Sequence, residues 1–112
     1  MPIFISQGRY TREAVKGMTA NPEDRTEEVK KLLAAVGATF HALYFTFGEY
    51  DFLLIAEAPN EKSMAAALIA VAGGGGVTDL KTTIALAAAE MKDAFMAAKP
   101  IAAYFRSAGG VS

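Results

Sequence analysis

The sequence predicts an α+β fold of β-α-β-β-α-β order with one further helix, and three observations predict it. Short aromatic and β-branched runs alternate along the chain with stretches of helical periodicity. Two of those runs, residues 40–47 and 50–57, are separated only by Gly48 and Glu49, which marks adjacent antiparallel strands. The chain has 112 residues, the length of a single domain.

The elements are taken in chain order. PIFISQ, residues 2–7, is short, β-branched and aromatic and reads as a strand. Thr11 then caps a short helix running to Met18. Asn21, Pro22, Glu23 and Asp24 are expected to restart it, with Asn21 as N-cap, Pro22 in the first helical position and acids in the first turn. Val29, Leu32, Leu33 and Val36 place one apolar stripe on a core, and Gly37 stands where a left-handed C-cap residue is wanted. FHALYFTF and YDFLLIAE form the hairpin, its Gly48-Glu49 loop reading as a two-residue type II′ turn. Pro59 ends the second strand, and Asn60 caps a helix carrying Met64, Leu68 and Val71 on one side. Gly73 to Gly76 stops that helix. In 77–86, Leu80, Thr82, Ile84 and Leu86 alternate with Asp79, Lys81, Thr83 and Ala85, as in a half-buried strand. A last helix over 88–98 holds Met91 and Phe95 and stops before Pro100. The first crossover is expected to give a parallel pair, and the hairpin and second crossover complete a ferredoxin-like split βαβ sandwich. Residues 1–98 make this one domain, and 99–112 are an extension expected to be partly flexible.

Composition narrows the partners. Hydrophobic residues make up 53% and mean hydropathy is +0.25, an excess that a subunit interface would absorb. A net charge of −1 and scattered basic residues argue against nucleic acid and against an anionic membrane surface. No apolar run nears the length of a membrane span, and Met1 leads straight into a strand-like segment, so a cytoplasmic protein is expected. The chain has no cysteine and one histidine, so no metal site and no cofactor are expected.

Self-association follows from the sheet. Helices of this topology cover one face, yet the strands are apolar on both. His41, Leu43, Phe45 and Phe47 alternate with Phe40, Ala42, Tyr44 and Thr46, and Leu53 and Ile55 with Phe52 and Leu54. A strand apolar on both faces is buried on both, so a second copy is expected to cover the open one.

The segment TFGEYDFLLIAEAPN, residues 46–60, resembles the signature of the GYD domain family, with Gly48, Tyr50 and Asp51 at the lettered positions. MPIFISQGRYT and GGVTDLKTTIALAAAEM are similar to that family's ends, so the resemblance covers most of residues 1–95. It implies the dimeric α/β barrel superfamily, in which two such sheets face each other, and it implies no particular reaction. Relatives carry a threonine-rich approach to T-x-E-E before the last helix; here Glu90 is kept and the cap position is alanine. A weaker similarity links the hairpin to the effector-binding domains of leucine-responsive regulators, which bind small amino acids between subunits. It implies that Tyr50 and Asp51 neighbour a ligand pocket.

Each candidate has a structural reading beside the functional one. In GEYD, Gly48 supplies a positive φ, Tyr50 packs and Asp51 accepts backbone N–H bonds, which accounts for every lettered residue. His41 is a structural residue or a general base. Tyr44 and Thr46 are the polar members of their face. Glu57 and Asp51 share a face of the next strand, and Lys81 lies mid-strand beside Thr83; in a closed barrel they are a polar pocket floor, otherwise a solvated surface. Arg9 and Tyr10 stand at the pocket mouth. The glycines at 73–76 form a connection rather than a phosphate loop, because a strand comes after them and no lysine does.

Three functions are consistent with this. The first is a homo-oligomer binding a small, partly apolar molecule in the barrel, lined by Phe4, Ser6, Tyr44, Thr46, Phe52 and Thr83. The second is a cofactor-independent oxygenase or isomerase with His41 or Tyr44 handling the proton. The third is a structural or assembly role. The ligand candidates are therefore Ser6, Arg9, Thr46, Tyr50, Asp51, Glu57, Lys81 and Thr83, with His41 and Tyr44 as catalytic candidates.

Overall fold

The computed structural model describes residues 1–110. Its elements run β1 (Ile3–Tyr10), α1 (Arg12–Ala20), α2 (Thr26–Ala35), β2 (Thr39–Phe45), β3 (Phe52–Glu57), α3 (Glu61–Gly73), β4 (Val77–Ala85) and α4 (Ala88–Ala98), then a 3-10 turn at Lys99–Tyr104. The sheet order is β2-β3-β1-β4, and every neighbouring pair is antiparallel. The fold is α+β and ferredoxin-like, as the element order requires. β1 and β2 point the same way but do not pair, because β3 enters between them; the expected parallel pair is thus a split one.

Local chemistry sets most boundaries. The Thr11 hydroxyl accepts from the Ala14 amide at 3.2 Å, and Asn60 Oδ1 accepts from the Ser63 amide at 2.8 Å, so both expected caps are in place. Gly37 has φ +73°; its amide donates to Ala34 and the Ala38 amide to Leu33, which closes α2 in a Schellman motif.

Other expectations change. β1 continues past Gln7 to Tyr10 because Arg9 and Tyr10 still pair with Thr78 and Val77 on β4. Asn21 does not start the next helix: its amide donates to the Gly17 carbonyl and closes α1. Helix α2 begins instead at Thr26, whose amide donates to Asp24 Oδ1 at 2.9 Å, an Asx turn that takes over the capping. The β2–β3 connection is not a two-residue turn. The strands end at Phe45 and resume at Phe52, and Thr46 closes the intervening loop by donating its amide to Asp51 and its hydroxyl to Tyr50. Gly48 does adopt a positive φ, +149°.

One irregularity reassigns a face. Phe40 pairs with Ala56 but Ala42 with Ile55, so His41 is an extra residue in a β-bulge. Phe40, Leu43 and Phe45 therefore lie on the same face, opposite Ala56, Leu54 and Phe52. Strict alternation would have put His41 with Leu43 and Phe45; the inserted residue breaks that count.

The core sits between the sheet and α2 and α3. Phe4, Leu33, Leu54, Ala56, Ala58 and Met64 are buried, with Val29, Phe40 and Leu68 packed against them. The opposite face carries Ile5, Leu53 and Ile55 half-exposed and has no helix over it. Helix α4 buries no residue; its substantial contacts are with the 3-10 turn at its C-terminal end. Residues 111–112, the end of the extension expected to be flexible, lie outside the described residues.

Candidate functional site

The ten candidate residues separate into three places. Ser6 alone faces the helices. It is buried, and its Oγ lies 2.9 Å from Thr82 Oγ1, a hydroxyl pair in an otherwise apolar layer. Alternation puts it there: Phe4, Ser6 and Gly8 are the buried positions of β1.

Above Ser6 lies a half-enclosed cavity of about 260 Å³, between α2 and α3 and over the central strands. Phe52, Leu54 and Leu43 floor it, Val29 and Leu32 wall it from α2, and Leu68 and Val71 wall it from α3. Besides Ser6, its polar neighbours are Tyr10 at the end of β1, Arg25 just before α2 and Glu28 on α2. Burial raises the Tyr10 hydroxyl above its ordinary pKa; the Arg25 guanidinium opposes this and Asp51 adds to it. Tyr10 is held by its ring, which packs 5.4 Å from Phe45 and 5.3 Å from Phe52 between centroids. Arg25 is held by Glu23, 2.7 Å from its Nη1.

Arg9, Thr46, Tyr50 and Asp51 gather at the hairpin end of the sheet. Asp51 Oδ2 accepts from the Tyr10 amide at 2.9 Å, and the Asp51 amide donates to the Gly8 carbonyl at 2.8 Å. The carboxylate thus ties the hairpin loop to the end of β1. Arg9 lies 5.7 Å from the Tyr50 ring centroid, donates from Nε to the Glu49 carbonyl at 2.7 Å and reaches Asp79 at 3.5 Å. Asp79 itself has φ +54°, at the bulge where β4 carries one more residue than β1. The Asp51 carboxylate of the GYD segment is therefore engaged in holding backbone together.

His41, Tyr44, Glu57, Lys81 and Thr83 belong to the open face. His41 Nε2 lies 3.3 Å from Glu57 Oε1. A carboxylate at that distance can hold the imidazole in one orientation. Tyr44, opposite Leu53, is 60% exposed, which leaves its hydroxyl in solvent. Lys81 and Thr83 pair with Gln7 and Ile5 on the same face and are exposed. The sheet lies between this group and the cavity.

Among the described residues, no group of three or more histidine, cysteine, aspartate or glutamate side chains is arranged to hold a metal ion, and no helix is long and apolar enough to cross a membrane. Arg25 was not legible as a cavity residue, because the sequence reads residues 22–25 as helix; the break that turns its side chain toward Tyr10 comes from the Asx turn at Asp24.

A family model described as GYD domain matches residues 4–95. A Thermus thermophilus relative, named glutamine synthetase and cystathionine beta-lyase binding protein, is 31% identical over 77 residues, spanning 69% of this chain and 81% of the relative. Two crystal structures share the fold at low identity. The protein TTHA0845 from Thermus thermophilus superposes with a TM-score of 0.52 at 15% identity, over 79% of this chain and 96% of its own. A hypothetical protein from Pyrococcus horikoshii gives 0.50 at 17%, over 78% and 92%.

Proposed function

The chain belongs to the GYD domain family, and from that premise we propose that it is a self-associating binding protein that takes a small, partly apolar molecule. The observation that carries this reading is the cavity over Ser6, apolar on its floor and walls and polar at Tyr10, Arg25 and Glu28. An apolar cavity of about 150 Å³ holds benzene, so about 260 Å³ suits a single substituted ring or a short chain. Arg25 can meet a carboxylate only by sharing its guanidinium with Glu23, and Glu28 also lines the cavity, while Ser6 and Tyr10 offer hydroxyls to a neutral polar end. Self-association is supported by the uncovered sheet face, which carries Ile5, Leu53 and Ile55 with the His41–Glu57 pair at one end. Two such faces meeting would enclose these polar groups between copies, which is also where a reaction handled by His41 or Tyr44 belongs.

Native mass spectrometry of the purified protein, with octanoate and 4-hydroxybenzoate as added probes, tests the cavity. Val29→Trp should fill it, abolishing retained mass while keeping or raising thermal stability. Unchanged probe binding in that variant would remove the cavity from consideration.

A second reading rests on the 31% identical relative, whose name records binding to two enzymes. On it, this chain binds an enzyme rather than a metabolite. Co-elution with purified glutamine synthetase, undiminished by Val29→Trp, distinguishes it from the first.

A further inference from the structure

The exposed large apolar side chains concentrate in two places. Six lie on α4 and the segment C-terminal to it: Met91, Phe95, Met96, Ile101, Tyr104 and Phe105. On the body, Val15, Phe45 and the fully exposed Phe47 rim a groove of about 370 Å³ between α1 and the hairpin loop, with Met18 and Tyr10 inside it. Monomeric proteins rarely leave large apolar patches in water. Met91 and Phe95, four apart, form one stripe of α4, so the arm has a defined apolar side. The family match ends at residue 95, so it takes in Met91 and Phe95, and only the last turn of α4 and the segment after it lie beyond the shared unit.

The arm does not reach its own groove. It leaves β4 after Ala85, beside Ile3 at the start of β1, whereas the groove lies at Tyr10 and Phe45, at the far end of β1 and on the opposite edge. Seven residues of strand and three strand spacings separate the two corners by about 27 Å. An 11-residue helix spans only about 16 Å, and Met91 and Phe95 sit short of its end. The molecule is accordingly 59 Å long, more than twice the roughly 26 Å of an eight-residue strand.

From these placements we infer that α4 and the turn after it are an exchanged arm: the α4 of one copy docks its Met91–Phe95 stripe in the groove between α1 and the hairpin loop of a second copy. The second copy is the occupant because one chain carries both complementary apolar surfaces at corners that cannot meet within it. Two-fold exchange uses each surface once and closes the assembly. The arm adds to pairing through the open sheet faces, so the inference rests on the self-association proposed above.

The chain has no cysteine, so a pair of single variants gives an unambiguous crosslink. Full-length Phe95→Cys and Phe47→Cys chains with different tags, mixed and oxidised, should form a disulfide joining one of each. In parallel, Met91→Glu/Phe95→Glu should weaken self-association at least tenfold by sedimentation equilibrium while circular dichroism is unchanged. A Phe95→Cys chain that links to Ile55→Cys but not to Phe47→Cys would put the arm on the sheet and overturn the inference. So would self-association of normal strength in the glutamate variant with no mixed crosslink, which leaves pairing through the sheet intact. A monomeric wild-type chain at micromolar concentration removes both proposals together.

Discussion

Gly8 shows how one residue sets the site. A Cβ built there would lie 2.8 Å from two atoms of the Phe52 ring and 3.1 Å from Leu80, so the ring rests directly on the strand backbone. Phe52 in turn floors the cavity and holds Tyr10. Gly8→Ala should therefore destabilise by about 1–3 kcal/mol, the usual cost of overpacking, as read from urea denaturation. Tyr10 contributes a pH dependence. Its folded-state pKa is raised, first by burial, so its contribution is present below the ordinary value of about 10 and is lost as pH rises through the raised one. Stability measured from pH 8 to 11 should fall less steeply in Tyr10→Phe than in the wild type. Both residues occur in QGRY, where the sequence ends the first strand at Gln7; in the structure the strand runs on to Tyr10, which makes Gly8 a glycine inside a strand with a close backbone approach. Only the fold tells that the approaching group is Phe52, 44 residues away.

Among the elements, α4 buries no residue and packs chiefly on the turn that follows it. Its N-cap position, Ala87, is extended at φ −64° and ψ 153°, and the Glu90 carboxylate accepts its amide at 3.4 Å. That is half of a capping box; alanine has no oxygen to return the bond. Ala87→Ser should stabilise the helix by about 1 kcal/mol, visible as several-fold slower amide exchange in α4. The alanine was apparent in the sequence, and so were the caps at Thr11 and Asn60, because capping is a contact within four residues. The start of α2 was not apparent. Asn21-Pro22-Glu23-Asp24 offers two capping residues three apart, and the choice of Asp24 depends on Asn21 already closing α1. The hairpin loop misleads similarly: Gly48 has a positive φ, but at +149° it is far from the roughly +60° of a type II′ turn, and the ladder ends earlier because Asp51 is drawn toward Gly8 and Tyr10.

At the scale of the molecule, the open sheet face and the arm are both unfinished surfaces. Ile55 lies at the centre of that face, between Ile5 and Ala42. Ile55→Lys should halve the mass found by light scattering without altering circular dichroism; an unchanged mass would take pairing away from this face. Strand identity, helix periodicity and the element order were legible from residues alone, because each follows from contacts or alternation within a few positions. These sufficed for the ferredoxin-like topology and for the uncovered face. The grouping of site residues did not follow. Ten candidates chosen for their chemistry fall on the helix side, the hairpin end and the open face, and the bulge at His41 moves that histidine out of the alternation expected of it. A bulge, a cavity between two helices and an arm projecting from an edge all arise from pairings between distant segments, whose register local residue pattern does not specify.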